Sequence, residues 1–308
     1  MSKPSRILVL LSSYNGEKYL GEQIDSLLSQ EDVDLSILVR DDSSSDKTIS
    51  LIEYYSKLYP NIYLIKGSNC GSALSFMNLL YKANASFCDY DYFAFCDQDD
   101  VWLPDKLKVA IDIIKKMDEE KPCLYLGSYQ MVDGNLNIIP TSHKSPSLDM
   151  VSAFVSNPAT GCTMVFNRLL LEAVATKHPD YVIMHDYWVY LVCLAIGGDV
   201  YYDQIPHLLY RQHDHNVIGG KKDSFFRKWS LRIVKLYRPG DFFKSKMATQ
   251  LLLCYEDKMN KEDKTFLQQV SSCKQVPSRV KLLKNDRFRG DSFDKNLQLL
   301  GLILTGKL

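Results

Sequence analysis

No apolar run in the sequence approaches the ~20 residues that a spanning helix needs, which argues against an integral membrane protein. The amino terminus lacks the charged, then apolar, then small-residue order of a secretory signal, so a cytoplasmic protein is expected. None of the eight cysteines stands in C-x-x-C spacing, which argues against a zinc site and a disulfide frame. Cys88, Cys162, Cys193 and Cys254 lie in apolar runs and read as reduced core residues. Internal repeats and low-complexity tracts are also missing. An excess of one charge is absent too, since 37 Lys+Arg balance 37 Asp+Glu. That balance hides an asymmetry: residues 1–220 carry 17 Lys+Arg against 28 Asp+Glu, and residues 221–308 carry 20 against 9. Two partners of opposite sign follow, a cation for the acidic part and an anionic surface for the basic part.

The acidic part is organised around Tyr92-Phe93-Ala94-Phe95-Cys96-Asp97-Gln98-Asp99-Asp100. A short apolar, aromatic run without alternation predicts a strand buried on both faces. Three acids at its carboxyl end would repel one another unless a cation lies between them, and carboxylate oxygens suit Mg2+ or Mn2+. Pro104 fits the first turn of a helix, which places the acids in a strand-to-helix loop, where open α/β sheets hold ligands.

Elsewhere the pattern alternates. Strands are predicted at Arg6–Leu11, Leu35–Arg40 and Ile62–Ile65, with helices to about Gln30, from an Asp46 cap through Tyr55, and over Ser72–Ala83. This rhythm predicts an α/β fold with a doubly wound, mainly parallel sheet and helices on both faces. Later strands are expected at Leu124–Gly127, Thr163–Phe166 and Val200–Tyr202, and a helix opens at His185-Asp186-Tyr187-Trp188 and stops at Gly197-Gly198. The shift in composition near residue 220 divides the chain into a domain over 1–220 and a basic, mainly helical module over 221–308.

Several polar groups sit where such a sheet binds ligands. Ser12 and Tyr14 leave the first strand before a helix N-terminus, where amides can face an anion and a ring can stack on a base. Asp41 or Asp42 could accept the N3–H of a pyrimidine, although Asp also favours turns. Asp186 at a helix start fits a general base or an N-cap. His185 fits a sugar contact, a residue behind the site or a core histidine. Arg211 could grip a phosphate bidentately, and His213 could be a third ligand for Mn2+.

In this order, Ser12-Ser13-Tyr14, Asp41-Asp42, Asp97-Gln98-Asp99-Asp100, Ala159-Thr160-Gly161-Cys162, His185-Asp186 and Arg211-Gln212-His213 resemble the motifs of glycosyltransferase family 2, inverting enzymes of GT-A fold. The resemblance covers roughly residues 5–220. It implies a nucleotide cradle at Ser12 and Tyr14, and base recognition by Asp41 or Asp42, which favours uridine or thymidine. It also implies a D-x-D at Asp97 and Asp99 for ribose and metal, a glycine loop by the donor sugar at Gly161, a catalytic Asp186, and His213 on metal or diphosphate. The wording Cys-Asp-Gln-Asp-Asp-Val-Trp-Leu-Pro-Asp-Lys-Leu, with His-Asp-Tyr-Trp later, is most similar to bacterial rhamnosyltransferases of surface polysaccharide synthesis. That implies dTDP-β-L-rhamnose as donor, with UDP-glucose or UDP-galactose as the alternative, and a growing, polyprenyl-linked glycan as acceptor. A Gln-x-x-Arg-Trp signature is absent, which points to addition of single sugars. A sugar nucleotidyltransferase would show a basic, Gly-rich first loop, which Ser12–Gly16 is not; a non-catalytic sugar-nucleotide-binding module would not need Asp99 and Asp186.

In the basic module, residues 225–246 interleave Phe225, Phe226, Trp229, Tyr237, Phe242 and Phe243 with Lys and Arg. This composition suits a helix lying on an anionic membrane surface, at the inner face of the cell membrane, or a cap whose basic stems cover the domain. No motif supports nucleic acid. The run Leu299–Leu304 is too short to span and suits a homodimer contact or lipid.

Overall fold

Five consecutive apolar residues, Ile7 to Leu11, leave no side for water, and in the computed structural model all five are fully buried. The structure describes residues 5–140, 145–212 and 243–308. Ile7 to Leu11 form the middle of β1 (Arg6–Ser13), which pairs in parallel with β2 (Asp34–Asp41) and β4 (Tyr92–Cys96). Outside β2 lies β3 (Ile62–Lys66), also parallel. The other strands are β5 (Val101–Trp102), β6 (Cys123–Val132), β7 (Met164–Asn167) and β8 (Asp199–Arg211), giving one sheet in the order β3-β2-β1-β4-β7-β6-β8-β5.

The parallel expectation holds for β3, β2, β1 and β4. Beyond them β7 runs antiparallel to both β4 and β6, β8 runs parallel to β6, and the two-residue β5 pairs antiparallel with β8. The expected strand Val200–Tyr202 is only the start of β8, which runs on through Pro206 to Arg211. Pro206 suggests a break there, and it is absorbed where the β6–β8 register shifts beside Ser128.

Alternation along β1 sorts the core. Leu8 and Leu10 face a layer containing α3 (Ser72–Ser86), α5 (Met150–Val155), α6 (Arg168–Ala175) and α7 (His185–Ala195), whereas Ile7, Val9 and Leu11 face α1 (Leu20–Leu28), α2 (Thr48–Leu58) and α4 (Lys106–Ile114). Helices therefore cover both faces. Lys47 rather than Asp46 is the N-cap of α2; Asp46 stands one residue earlier, its carboxylate accepting from the Thr48 amide at 3.0 Å. α4 begins at Lys106, two residues beyond Pro104, because residues 103–106 first close a turn in which Lys106 N donates to Leu103 O at 3.1 Å. Gly197 takes φ +72° and ends α7, with the amides of Gly197 and Gly198 closing on Leu194 and Cys193.

Four further helices, α8 (Phe243–Tyr255), α9 (Lys261–Ser271), α10 (Val276–Leu283) and α11 (Phe293–Thr305), follow the sheet. They pack onto the helices that cover it: Tyr255 lies 6.2 Å from Trp188, Phe266 lies 5.7 Å from Phe154, and the Tyr255 hydroxyl donates to Ala173 at 3.0 Å. Met247, Leu251, Phe266 and Ile303 share a core cluster with Leu8 and Phe93. Most of the aromatic and basic stretch 225–246 lies outside the described residues. All eight cysteines are free thiols, and Cys88 is exposed rather than in the core. Among the described residues no helix is long and apolar enough to cross a membrane.

Candidate active site

Register places the site. Ser13 pairs with Asp41 and Leu11 with Cys96, so the loops after β1, β2 and β4 leave one edge of the sheet together. They open on a cavity of about 930 Å³ whose walls include Ser12, Tyr14, Asp42, Asp97, Asp99, Gly161 and Asp186. Asp99 and Asp186, 87 residues apart in sequence, thus share one crevice. Asp41 and Arg211 are not on its walls, and His213 lies outside the described residues.

Each acid has a distinct setting. Asp41 is buried and spent on its own turn, accepting from Ser44 N at 2.9 Å, Ser44 Oγ at 2.5 Å and Ser13 Oγ at 3.2 Å. The turn reading fits Asp41, which leaves Asp42 as the cavity-facing member of the pair. Asp42 accepts from the amides of Cys70 at 3.0 Å and Gly71 at 2.9 Å and pairs with Arg40. Burial would raise the Asp42 carboxyl; Arg40 and those amides outweigh it and hold the group below the ordinary carboxylate range.

Asp97 is pushed up to about 7, first by burial, then by repulsion from Asp99 and Asp186. Asp100 is pushed well above the carboxylate range, first by burial, then by Asp97 and Asp99. Only 1% exposed, Asp100 accepts from Arg211 N at 3.1 Å through one oxygen, while Oδ2 has no partner. Crowded acids with an orphaned oxygen fit a bound divalent cation, which would return them to the ionised form. Ligand atoms of Asp97, Asp100 and Cys162 lie within 4.8 Å of one another. Burial pushes the Cys162 thiol far up, so it stays protonated and is a poor ligand for a hard ion, whereas the carboxylates suit one. Beneath this loop the buried Lys106 ammonium sits 3.2 Å over the Trp102 ring, and burial pushes it down to about 8.

Arg211 does something other than grip phosphate. Its side chain, 2% exposed, donates to the carbonyls of Asp99 and Gly134 at 2.8 Å each, pairs with Glu22 and lies over the Tyr19 ring. It clamps the acidic loop from behind. A sequence cannot distinguish an arginine facing a ligand from one facing the loop's own carbonyls.

Asp186 stands in the first turn of α7 and is almost buried. Its oxygens accept from Gly161 N at 3.1 Å and Tyr187 N at 2.6 Å, and burial pushes its carboxyl up to about 6. At Gly161 a Cβ would come 2.9 Å from His185 Nε2 and 3.5 Å from Asp186 Cβ, so this loop needs glycine. Among cavity residues that the sequence reading missed, Gln98 joins two loops, accepting from Tyr14 N at 2.9 Å and donating to Tyr14 O at 3.1 Å. A neutral residue amid three acids was its only signal. Phe76, Asn69, Met184 and Tyr210 also line the cavity and carried no signal.

Residues 8–175 match the family model described as glycosyl transferase family 2. The chain is 31% identical over 218 residues to the dTDP-rhamnosyl transferase RfbG of Shigella flexneri, covering 68% of this chain and 73% of that protein. Its fold is similar to that of S. aureus TarS 1–349 in complex with UDP-GlcNAc, with a TM-score of 0.59 at 16% identity over 98% of this chain and 82% of that one. It is also similar to that of the mannosyltransferase PcManGT from Pyrobaculum calidifontis in complex with GDP-Man and Mn2+, with a TM-score of 0.51 at 15% identity over 99% and 88%.

Proposed function

The chain belongs to glycosyl transferase family 2 and has its GT-A fold, and on that premise we propose that the crevice transfers one sugar from a nucleotide diphosphate to an acceptor hydroxyl with inversion. The observation that carries this reading is the shared cavity of Asp97, Asp99 and Asp186. Ser12, Tyr14 and Asp42 would hold the nucleotide. Asp97 and Asp99, with His213, would hold Mg2+ or Mn2+, which when bound neutralises the diphosphate as it departs. The Asp186 carboxylate takes the proton of the acceptor hydroxyl while that oxygen bonds to the anomeric carbon. The carbon–oxygen bond to the diphosphate breaks on the opposite face, and the nucleotide diphosphate leaves with the electron pair. A base poised at about 6 is largely ionised at neutral pH yet still accepts a proton, and the Gly161 and Tyr187 amides fix its direction.

The named relative in Shigella flexneri supports dTDP-β-L-rhamnose as donor. The likeness to TarS with UDP-GlcNAc keeps a UDP-hexose as the second reading. A lipid-linked glycan is the acceptor we favour, met at the cytoplasmic membrane face. Phe293, Leu297, Leu300 and Leu304 stand exposed along one face of α11, and residues 274–308 hold eight Lys/Arg against three Asp, which suits an anionic lipid surface. The test is protection against thermal unfolding by dTDP-rhamnose, UDP-glucose and UDP-galactose, each with and without Mn2+. Metal-dependent protection is expected and should vanish in Asp99→Ala; protection that survives this change in full removes the metal assignment.

A further inference from the structure

Among the described residues of the cavity wall, His185 is the one whose side-chain nitrogens are stranded. It is 2% exposed, both ring nitrogens lack a hydrogen-bond partner, and its imidazole lies between two phenyl rings. Phe76 stacks on it at 3.8 Å with 20° between planes, and Phe95 meets it edge-on at 4.6 Å. Burial pushes its pKa down to about 3, so the ring is neutral at working pH, with one nitrogen donating and the other accepting. A buried imidazole with neither nitrogen satisfied is costly to keep, and a bound ligand would explain it. Gly161 leaves room at Nε2 on the cavity wall, since a Cβ there would come within 2.9 Å of it.

The surroundings narrow what that ligand presents. Nearby, Asp186 is held by the amides of Gly161 and Tyr187 and reserved for the acceptor hydroxyl, and Phe76 and Met184 offer no hydrogen bond from their side chains. This corner therefore pairs the imidazole with an apolar wall. Resting on the transferase reading above, we propose that His185 reads the donor sugar: its Nε2, beside Gly161, hydrogen-bonds a ring hydroxyl while Phe76 and Met184 face the methyl of a 6-deoxyhexose. A hexose with a hydroxyl on that carbon would strand it against the apolar wall, so the corner selects the deoxy sugar.

The experiment measures affinities of the full chain, with Mn2+, for dTDP, dTDP-β-L-rhamnose and dTDP-glucose in wild type, His185→Phe and His185→Gln. Wild type should bind dTDP-rhamnose at least tenfold tighter than dTDP-glucose. His185→Phe keeps the aromatic stack and should bind dTDP within twofold of wild type but lose about tenfold for dTDP-rhamnose. His185→Gln, which keeps a donor and an acceptor, should recover most of that loss. Unchanged affinity for dTDP-rhamnose in His185→Phe, or an equal loss for dTDP, would overturn the role of His185; equal wild-type affinity for both sugars would overturn the deoxy selection. A wild-type protein to which no sugar adds affinity over dTDP brings down the transferase reading itself, and this inference with it.

Discussion

Replacing Asp186 by Asn should move activity and stability in opposite directions. Burial holds the Asp186 carboxyl at about 6 against an ordinary 3.8, so the folded protein binds this proton more tightly than the unfolded chain does. The sign follows from linkage. Stability from this group is complete below pH 3.8, falls as pH rises through about 6, and is flat above. The ionised group then costs the fold about 1–2 kcal/mol at pH 5 and about 3 kcal/mol at pH 7.5. Asn carries no such charge, but its NH2 can no longer accept one of the two amides from Gly161 and Tyr187, a loss of about 1 kcal/mol at every pH. The stability of Asp186→Asn relative to wild type should therefore grow by about 1–2 kcal/mol from pH 5 to pH 7.5. Relief of repulsion on Asp97 acts in the same direction. Urea unfolding of both proteins at the two pH values reads this difference. In the same preparation, transfer should fall by about 10²–10⁴-fold, the range for loss of a general base, with donor affinity kept. A variant that transfers at the wild-type rate refutes the base, and one whose relative stability is flat with pH refutes the electrostatic setting.

Three other outcomes follow from the same structure. Arg211→Ala, although it removes nothing from the cavity wall, should destabilise by ~2–3 kcal/mol and weaken metal-dependent donor binding, because Asp99 and Glu22 lose their clamp; unaltered calorimetric affinity for dTDP-rhamnose with Mn2+ would show that the loop holds itself. Gly161→Ala drives a Cβ toward a histidine wedged between two phenyl rings, and should lower kcat by about tenfold or more while costing only ~1–2 kcal/mol of stability. Pairing Leu300→Asp with Leu304→Asp on exposed positions of α11 should release the protein from phosphatidylserine vesicles in a sedimentation assay without changing its melting temperature; undiminished sedimentation would discard α11 as the lipid face.

What the sequence determined by itself was local. Unalternating apolar runs made β1 and β4 doubly buried strands, alternation with helical spacing gave the parallel half of the sheet, and Gly197 ended α7, because each depends on residues close in the chain. The motif order also singled out Asp97, Asp99, Gly161 and Asp186, which line one cavity. Only the tertiary structure decided which way polar groups face. Asp41 and Asp42 are adjacent, yet one closes its turn and the other meets the cavity, a distinction made by Ser44 on one side and by Cys70 and Gly71 on the other. Arg211 faces the carbonyls of Asp99 and Gly134 because β8 runs past that loop, and the antiparallel β7 and the continuity of β8 through Pro206 depend on partners far along the chain. The raised acids and stranded imidazole likewise arise from what surrounds those residues in space.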